Sequence, residues 1–279
     1  MRIIKIKDTS IRHCLYSNNP LPPTSFCEHI QWNWDWDISK TDKDELIVYT
    51  HTNIMDGIND NRTNKVCWLI EPYDFVKHDY DTIINHNEKF KYVFTHEKEL
   101  LKLGENYKFI PFGGCWIKEE DRKIHDKNKM VSIISSGKNQ LEGHKLRHKV
   151  ISENKDKITV LGNGYHAIDE KITGLKEYRF SIAIENAKRD YYFTEKLIDC
   201  LMTGTVPIYW GCPSIEDFFN PKGFIICNNL SDFTNAINSL TEQKYEDMRP
   251  YIEENFERAK NFILSEYHIY DNFIKKGLI

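Results

Sequence analysis

Apolar and polar positions along this 279-residue chain alternate in two successive blocks. Over the first 111 residues, short apolar runs rich in β-branched and aromatic residues close off longer polar stretches that suit helices. The runs are Ile3 to Ile6, Leu46 to Tyr49, Val66 to Ile70, Tyr92 to Phe94 and Phe109 to Ile110. Runs of this length predict strands, and their separation by helix-compatible sequence predicts a parallel sheet with helical crossovers. His96 to Leu103 reads as a short helix stopped by Gly104. Phe112-Gly113-Gly114 then signals a turn, and Lys118 to Lys129 is almost wholly charged or polar, as suits a connection between domains. In the second block strands are expected over Val131 to Ser135, Ile158 to Leu161, Phe180 to Ile184, Val206 to Trp210 and Phe224 to Cys227. Helices are expected over Glu142 to Glu153 and Thr194 to Met202, with helical spacing again over Leu230 to Leu240 and Tyr245 to Phe262.

The pattern predicts an α/β protein of two Rossmann-like, doubly wound domains: one over residues 1–115, a linker over 116–129, a second over 130–262, and a C-terminal helix over 263–279. Two such domains place a cleft between the carboxyl ends of their strands, where open α/β sheets bind ligands. Fold alone gives no chemistry.

Charge and composition narrow the classes. A formal net charge of -4 argues against a protein whose business is coating nucleic acid. The opening Met-Arg-Ile-Ile-Lys-Ile-Lys has no apolar core of a signal peptide, and no segment reaches the roughly 18 uninterrupted apolar residues of a membrane span. The expectation is a cytoplasmic protein without a transmembrane segment. Its seven cysteines (Cys14, Cys27, Cys67, Cys115, Cys200, Cys212, Cys227) are odd in number and lack CxxC spacing, so they read as reduced thiols, not as a disulfide frame or zinc site.

The densest chemistry lies in Tyr178-Arg-Phe-Ser-Ile-Ala-Ile-Glu-Asn186, Tyr191-Tyr-Phe-Thr-Glu-Lys196 and Gly204-Thr-Val-Pro-Ile-Tyr-Trp-Gly211. A strand, a polar turn, a helix opened by Thr194-Glu195-Lys196 and a second strand bring Glu185, Asn186, Glu195 and Lys196 to one sheet edge. Thr194 suits an N-cap. A helix start with a lysine beside it suits a nucleotide diphosphate. By spacing alone, an ordinary solvated first-turn pair is the favoured reading of Glu195 and Lys196.

In order and spacing, Ile184-Glu185-Asn186, Tyr192-Phe193-Thr194-Glu195-Lys196, Gly204-Thr205-Val206-Pro207-Ile208 and Gly211-Cys212-Pro213, then Asp217-Phe218 and Phe224-Ile225, resemble the signature of glycosyltransferase family 10, the α-1,3/4-fucosyltransferases. The resemblance covers Tyr178 to Ile225, extends back to Val131, and is weak over the N-terminal half. It implies a GT-B fold whose C-terminal domain holds the GDP part of a sugar nucleotide and whose N-terminal domain offers the glycan acceptor and a base. Donor contacts then fall on Glu185, Asn186, Tyr192, Thr194, Glu195 and Lys196, with Glu195 on ribose or sugar hydroxyls and Lys196 on the diphosphate. The family's arginine on the first helix of this domain corresponds to Arg147, whose plain reading is a helix-surface charge.

Inverting transfer needs one base on the acceptor hydroxyl, and a carboxylate in an apolar setting suits it. Glu71 ends the run Val66 to Ile70 and precedes Pro72, although Ile-Glu-Pro-Tyr departs from the family's context, and a solvent-facing acid at a strand end is the plain alternative. Two fixed cations, Arg147 and Lys196, stand in for a metal on the leaving diphosphate, so no metal or other cofactor is expected. Asp35-Trp36-Asp37 spells the Asp-x-Asp of metal-dependent enzymes, but it lies in the aromatic run Trp32 to Trp36, whose tryptophans read as core or as a wall for an acceptor. The expected function is transfer of L-fucose from GDP-fucose to a glycan hydroxyl. Another nucleotide sugar, or a non-catalytic sugar-nucleotide or glycan binder, are the alternatives.

Overall fold

The computed structural model of the protein describes residues 1–8, 27–34 and 36–279. The chain divides into two compact units, Met1–Phe112 with Leu264–Ile279, and Gly113–Ile263. Residues 116–129, expected as a linker, thus group with the second unit, and 264–279, expected as a separate helix, group with the first.

The first unit is built on a six-stranded parallel sheet of β1 (Arg2–Lys7), β2 (Ile30–Asn33), β3 (Ile47–Thr50), β4 (Lys65–Trp68), β5 (Tyr92–Thr95) and β6 (Tyr107–Phe109), in the order β2-β1-β3-β4-β5-β6. Helices α1 (Ile54–Asn59) and α2 (Lys77–His86) supply crossovers. Ile47, Tyr49, Cys67, Leu69, Tyr80, Ile83 and Val93 form one buried cluster, so β3 and β4 read as continuous apolar runs because the sheet is covered. The expected helix over His96 to Leu103 is instead a turn followed by a single 3-10 turn at Leu100–Lys102. Its first residues are tied to strand ends: His96 Nε2 meets the Ile70 carbonyl at 2.9 Å, and the Glu97 N–H donates to Thr95 Oγ1 at 3.0 Å. Strand β2 carries Trp32, which is buried and donates from its indole to Glu266 at 2.9 Å. Glu266 lies on the helix Ser265–Ile269, whose Ser265 hydroxyl donates to the carbonyls of Pro111 and Phe112. Asp35 and Cys14 lie outside the described residues; Asp37 caps the turn Ile38–Lys40 by accepting from the Ser39 N–H.

The second unit holds β7 (Lys129–Ile134), β8 (Thr159–Leu161), β9 (Tyr178–Ile184), β10 (Val206–Trp210) and β11 (Ile225–Ile226) in the parallel order β11-β10-β9-β7-β8. Helices α3 (Glu142–Asn154), α4 (Glu195–Leu201), α5 (Leu230–Asn238), α6 (Glu242–Asp247) and α7 (Arg249–Ala259) complete it. The helical stretch expected over Tyr245 to Phe262 is interrupted at Met248, because Pro250 has no N–H to continue a helix and is tolerated only in a first turn. Strand β9, the middle of the sheet, is buried at every position. One core packs α3, α5 and α6 against the sheet through Val150, Phe233 and Tyr245; a second packs α4 and α7 through Leu197, Ile198 and Ala259. The six described cysteines are buried and form no disulfide among the described residues. Among the described residues no helix is long and apolar enough to cross a membrane.

Candidate functional site

The carboxyl end of β9 and the starts of α3 and α4 meet in the second unit. Helix α3 shows why its sequence folds as it does: Gly143, His144, Arg147, Val150, Ile151 and Asn154 are its buried positions, a stripe at helical spacing. Val150 and Ile151 face the apolar core, while the polar end of the stripe faces β9. There the absence of a side chain at Gly143 is decisive: a Cβ on it would lie 1.8 Å from the Glu185 carbonyl oxygen, and its N–H donates to the Asn186 carbonyl at 3.1 Å. One turn on, Arg147 is 6% exposed; its Nε donates to the Ile184 carbonyl at 3.0 Å and its Nη2 to Asn186 Oδ1 at 2.7 Å. The surface-charge alternative for Arg147 is therefore set aside.

Glu185 has no exposed surface. Its carboxylate accepts from both the N–H and the hydroxyl of Thr194, at 2.9 and 2.6 Å, and Lys196 Nζ is 3.7 Å away. Burial pushes this carboxyl above its ordinary value against the pull of Lys196. Thr194 in turn caps α4, accepting from the Lys196 N–H at 3.3 Å. A single hydroxyl thus joins strand end to helix start. Helix α4 is only seven residues long, so its dipole is a modest asset and the side-chain cations carry more weight.

Glu195 Oε1 accepts from Lys196 Nζ at 3.2 Å and from Lys171 Nζ at 3.3 Å. Burial raises its pKa, but Lys196 and Lys171 outweigh that and hold the carboxyl well below the usual range. Tyr192 is fully buried two residues before Thr194, and its N–H donates to the Arg189 carbonyl at 3.4 Å. All seven residues read from the sequence as donor contacts therefore gather at one place, with Glu185 turned inward as a clamp.

Three further members had no motif to announce them. His144 is buried beside Arg147 and Asn186, takes the Leu141 N–H on Nδ1 at 3.2 Å, and is pushed down to about 4 by burial and by the charges of Arg147, Lys138 and Lys196. Lys171 and Asp199 pair at 2.9 Å beside Glu195. Asp199, a carboxylate in the otherwise apolar Leu197-Ile198-Asp199-Cys200-Leu201, was the one legible signal among them.

In the first unit, Glu71 follows β4 and is half-buried. Its N–H donates to His51 Nε2 at 3.4 Å and its carbonyl accepts from the Tyr80 hydroxyl at 2.9 Å. His51, in the left-handed region at φ 42°, is held on its other face by Asp79 at 3.3 Å. Among the described residues no three His, Cys, Asp or Glu side chains cluster as metal ligands.

The family description "glycosyltransferase family 10 (fucosyltransferase) C-term" matches residues 124–261, which span the whole assembly around Arg147, Asn186 and Lys196. Residues 124–261 belong to glycosyltransferase family 10. This family 10 region is similar to an α-(1,3)-fucosyltransferase of Helicobacter pylori, 31% identical over 116 residues, or 42% of this chain and 24% of that protein. It is also similar to α-(1,3)-fucosyltransferase B of Drosophila melanogaster, 33% identical over 144 residues, or 47% of this chain and 31% of that one. The matches thus span less than a third of these relatives' length. Among solved structures, an α1,3-fucosyltransferase with GDP-fucose shares the fold at a TM-score of 0.51 and 18% identity, covering 84% of this chain and 81% of that one. The Anabaena protein HepE with UDP and glucose does so at 0.60 and 13%, covering 83% and 77%. The fold is GT-B, built from two parallel α/β sheets.

Proposed function

We propose that the chain is an inverting glycosyltransferase that moves L-fucose from GDP-fucose to a hydroxyl of a glycan acceptor. The observation that carries this reading is the gathering of Arg147, Asn186, Glu195 and Lys196 at one sheet end, inside the residues that belong to family 10. Relatives named as fucosyltransferases favour fucose as the sugar.

The chemistry follows from charge. As the bond from the sugar to the β-phosphate breaks, its electron pair leaves with GDP, and fixed cations stabilise that developing charge without reorganising. Lys196 and Arg147 fill this role, Arg147 already oriented by Ile184 and Asn186. Ionised Glu195 accepts from ribose or sugar hydroxyls, and Glu185 holds the frame through Thr194. Glu71 is the proposed base, taking the acceptor hydroxyl's proton while the oxygen attacks the anomeric carbon opposite the leaving group. The sugar nucleotide is a co-substrate in this reading.

Calorimetric titration with GDP, UDP, dTDP and CMP, with EDTA present, tests the reading. Selective binding of GDP supports it. Preference for another nucleotide discards fucose while keeping the site, and no binding of any of them overturns the donor assignment.

A further inference from the structure

Lys171 stands 24 residues before Glu195 in sequence, on the 3-10 turn Lys171–Gly174 that precedes β9. From there Nζ reaches Asp199 Oδ2 at 2.9 Å and Glu195 Oε1 at 3.3 Å, and lies 4.2 Å from the centroid of the Trp116 ring. The Trp116 backbone N–H donates to the other Asp199 oxygen, Oδ1, at 2.6 Å. Asp199 is therefore engaged on both oxygens, and with the indole face it fixes where the Lys171 ammonium stands.

Glu195 and Asp199 are one turn apart on α4, where two like charges repel. A cation between them relieves that repulsion. Lys171 and Lys196 both meet the same oxygen of Glu195, Oε1. A carboxylate tethered by one oxygen has its second oxygen aimed.

We propose that Lys171 is a positioning residue of the donor site: braced by Asp199 and Trp116, it ties Glu195 Oε1 to the protein and turns Oε2 to accept from a ribose hydroxyl of the donor nucleotide. This rests on the reading of Glu195 given under Proposed function. Without Lys171, two buried carboxylates face each other with one cation fewer. Glu195 then swings away or takes up a proton, and in either case loses its fixed acceptor.

The test compares binding of GDP and 2′,3′-dideoxy-GDP by calorimetry at pH 7 in the wild type, Lys171→Met and Lys171→Arg. A hydroxyl bound to a charged acceptor is worth roughly tenfold or more in affinity, so the wild type should prefer GDP by about that factor. Lys171→Met should lose most of this preference while binding the dideoxy nucleotide as the wild type does, and Lys171→Arg should keep much of it. Equal weakening toward both nucleotides would mean a merely structural lysine and overturn the proposal. A wild type that does not distinguish the two nucleotides overturns the reading of Glu195 itself, and the proposal with it. Should Lys171→Met fail to fold, Asp199→Asn loosens the brace at constant shape, and the same ratio decides.

Discussion

Arg147 Nη2 donates to Asn186 Oδ1 across 2.7 Å, so the guanidinium on α3 and the amide beyond β9 hold each other in place. Lysine at this position keeps the charge but cannot serve Ile184 and Asn186 at once from a planar fork. Arg147→Lys is expected to weaken GDP binding by about 10²-fold, the order seen when one partner of a buried charged hydrogen bond is lost. Titration calorimetry on the folded variant reads it, and wild-type affinity would remove Arg147 from the site.

His144 gives the site an acid limit. Its pKa in the folded chain is pushed down to about 4 from the ordinary 6.5, so between these values the unfolded chain binds a proton that the folded chain refuses. Stability from this residue is complete above pH 6.5 and is lost as the pH falls toward 4. The stability difference between wild type and His144→Gln should therefore shrink by about 2 kcal/mol from pH 7 to pH 4.5 in urea unfolding. A difference that does not vary with pH would place His144 in contact with solvent.

At Gly143 two effects compete. Alanine favours a helix by about 1 kcal/mol over glycine, but its methyl would stand 1.8 Å from a backbone oxygen that belongs to the end of β9. Backbone cannot rotate away as a side chain can, and overpacking of this kind costs about 1–3 kcal/mol or more. Gly143→Ala should lower the melting temperature and weaken GDP binding together. A melting temperature at or above wild type would show that α3 shifts freely.

Glu71→Gln preserves shape and removes the proton acceptor. Since the peptide at 71 is held by His51 and Tyr80 through its backbone, the substitution leaves those bonds in place. Turnover should fall by about 10²- to 10⁴-fold with GDP affinity nearly unchanged. Undiminished turnover would assign the base elsewhere.

How much of this was legible depended on whether the information was local. The strand β9 and the Thr-Glu-Lys helix start are contiguous signals, and both were visible, as was the pair of parallel sheets. Lys171 was not, because nothing in Glu170-Lys171-Ile172 marks it; a 3-10 turn and the β9 strand carry it back to α4. His144 sits among Lys145, Lys149 and other polar residues of α3 and looks like surface until β9 covers it. Strand β2 was hidden in an aromatic run, and the partner of its Trp32, Glu266, is 234 residues away. The missing helix at His96 failed for the same reason in reverse: a local pattern lost to hydrogen bonds that His96 and Glu97 make to the Ile70 carbonyl and the Thr95 hydroxyl.

Three cations at the end of β9, Arg147, Lys171 and Lys196, face three carboxylates, Glu185, Glu195 and Asp199. Seen from beyond a Debye length of about 8 Å, such a set has almost no field, and a chain of net charge -4 adds no pull on an anion. A polyphosphate bound there as proposed would not be gathered from a distance but met on contact, where individual donors and acceptors stop cancelling. Capture should proceed at an ordinary diffusional rate that added salt barely changes, and general polyanions should find little to hold. A donor site of this kind would be quiet in bulk solvent and selective at touching distance.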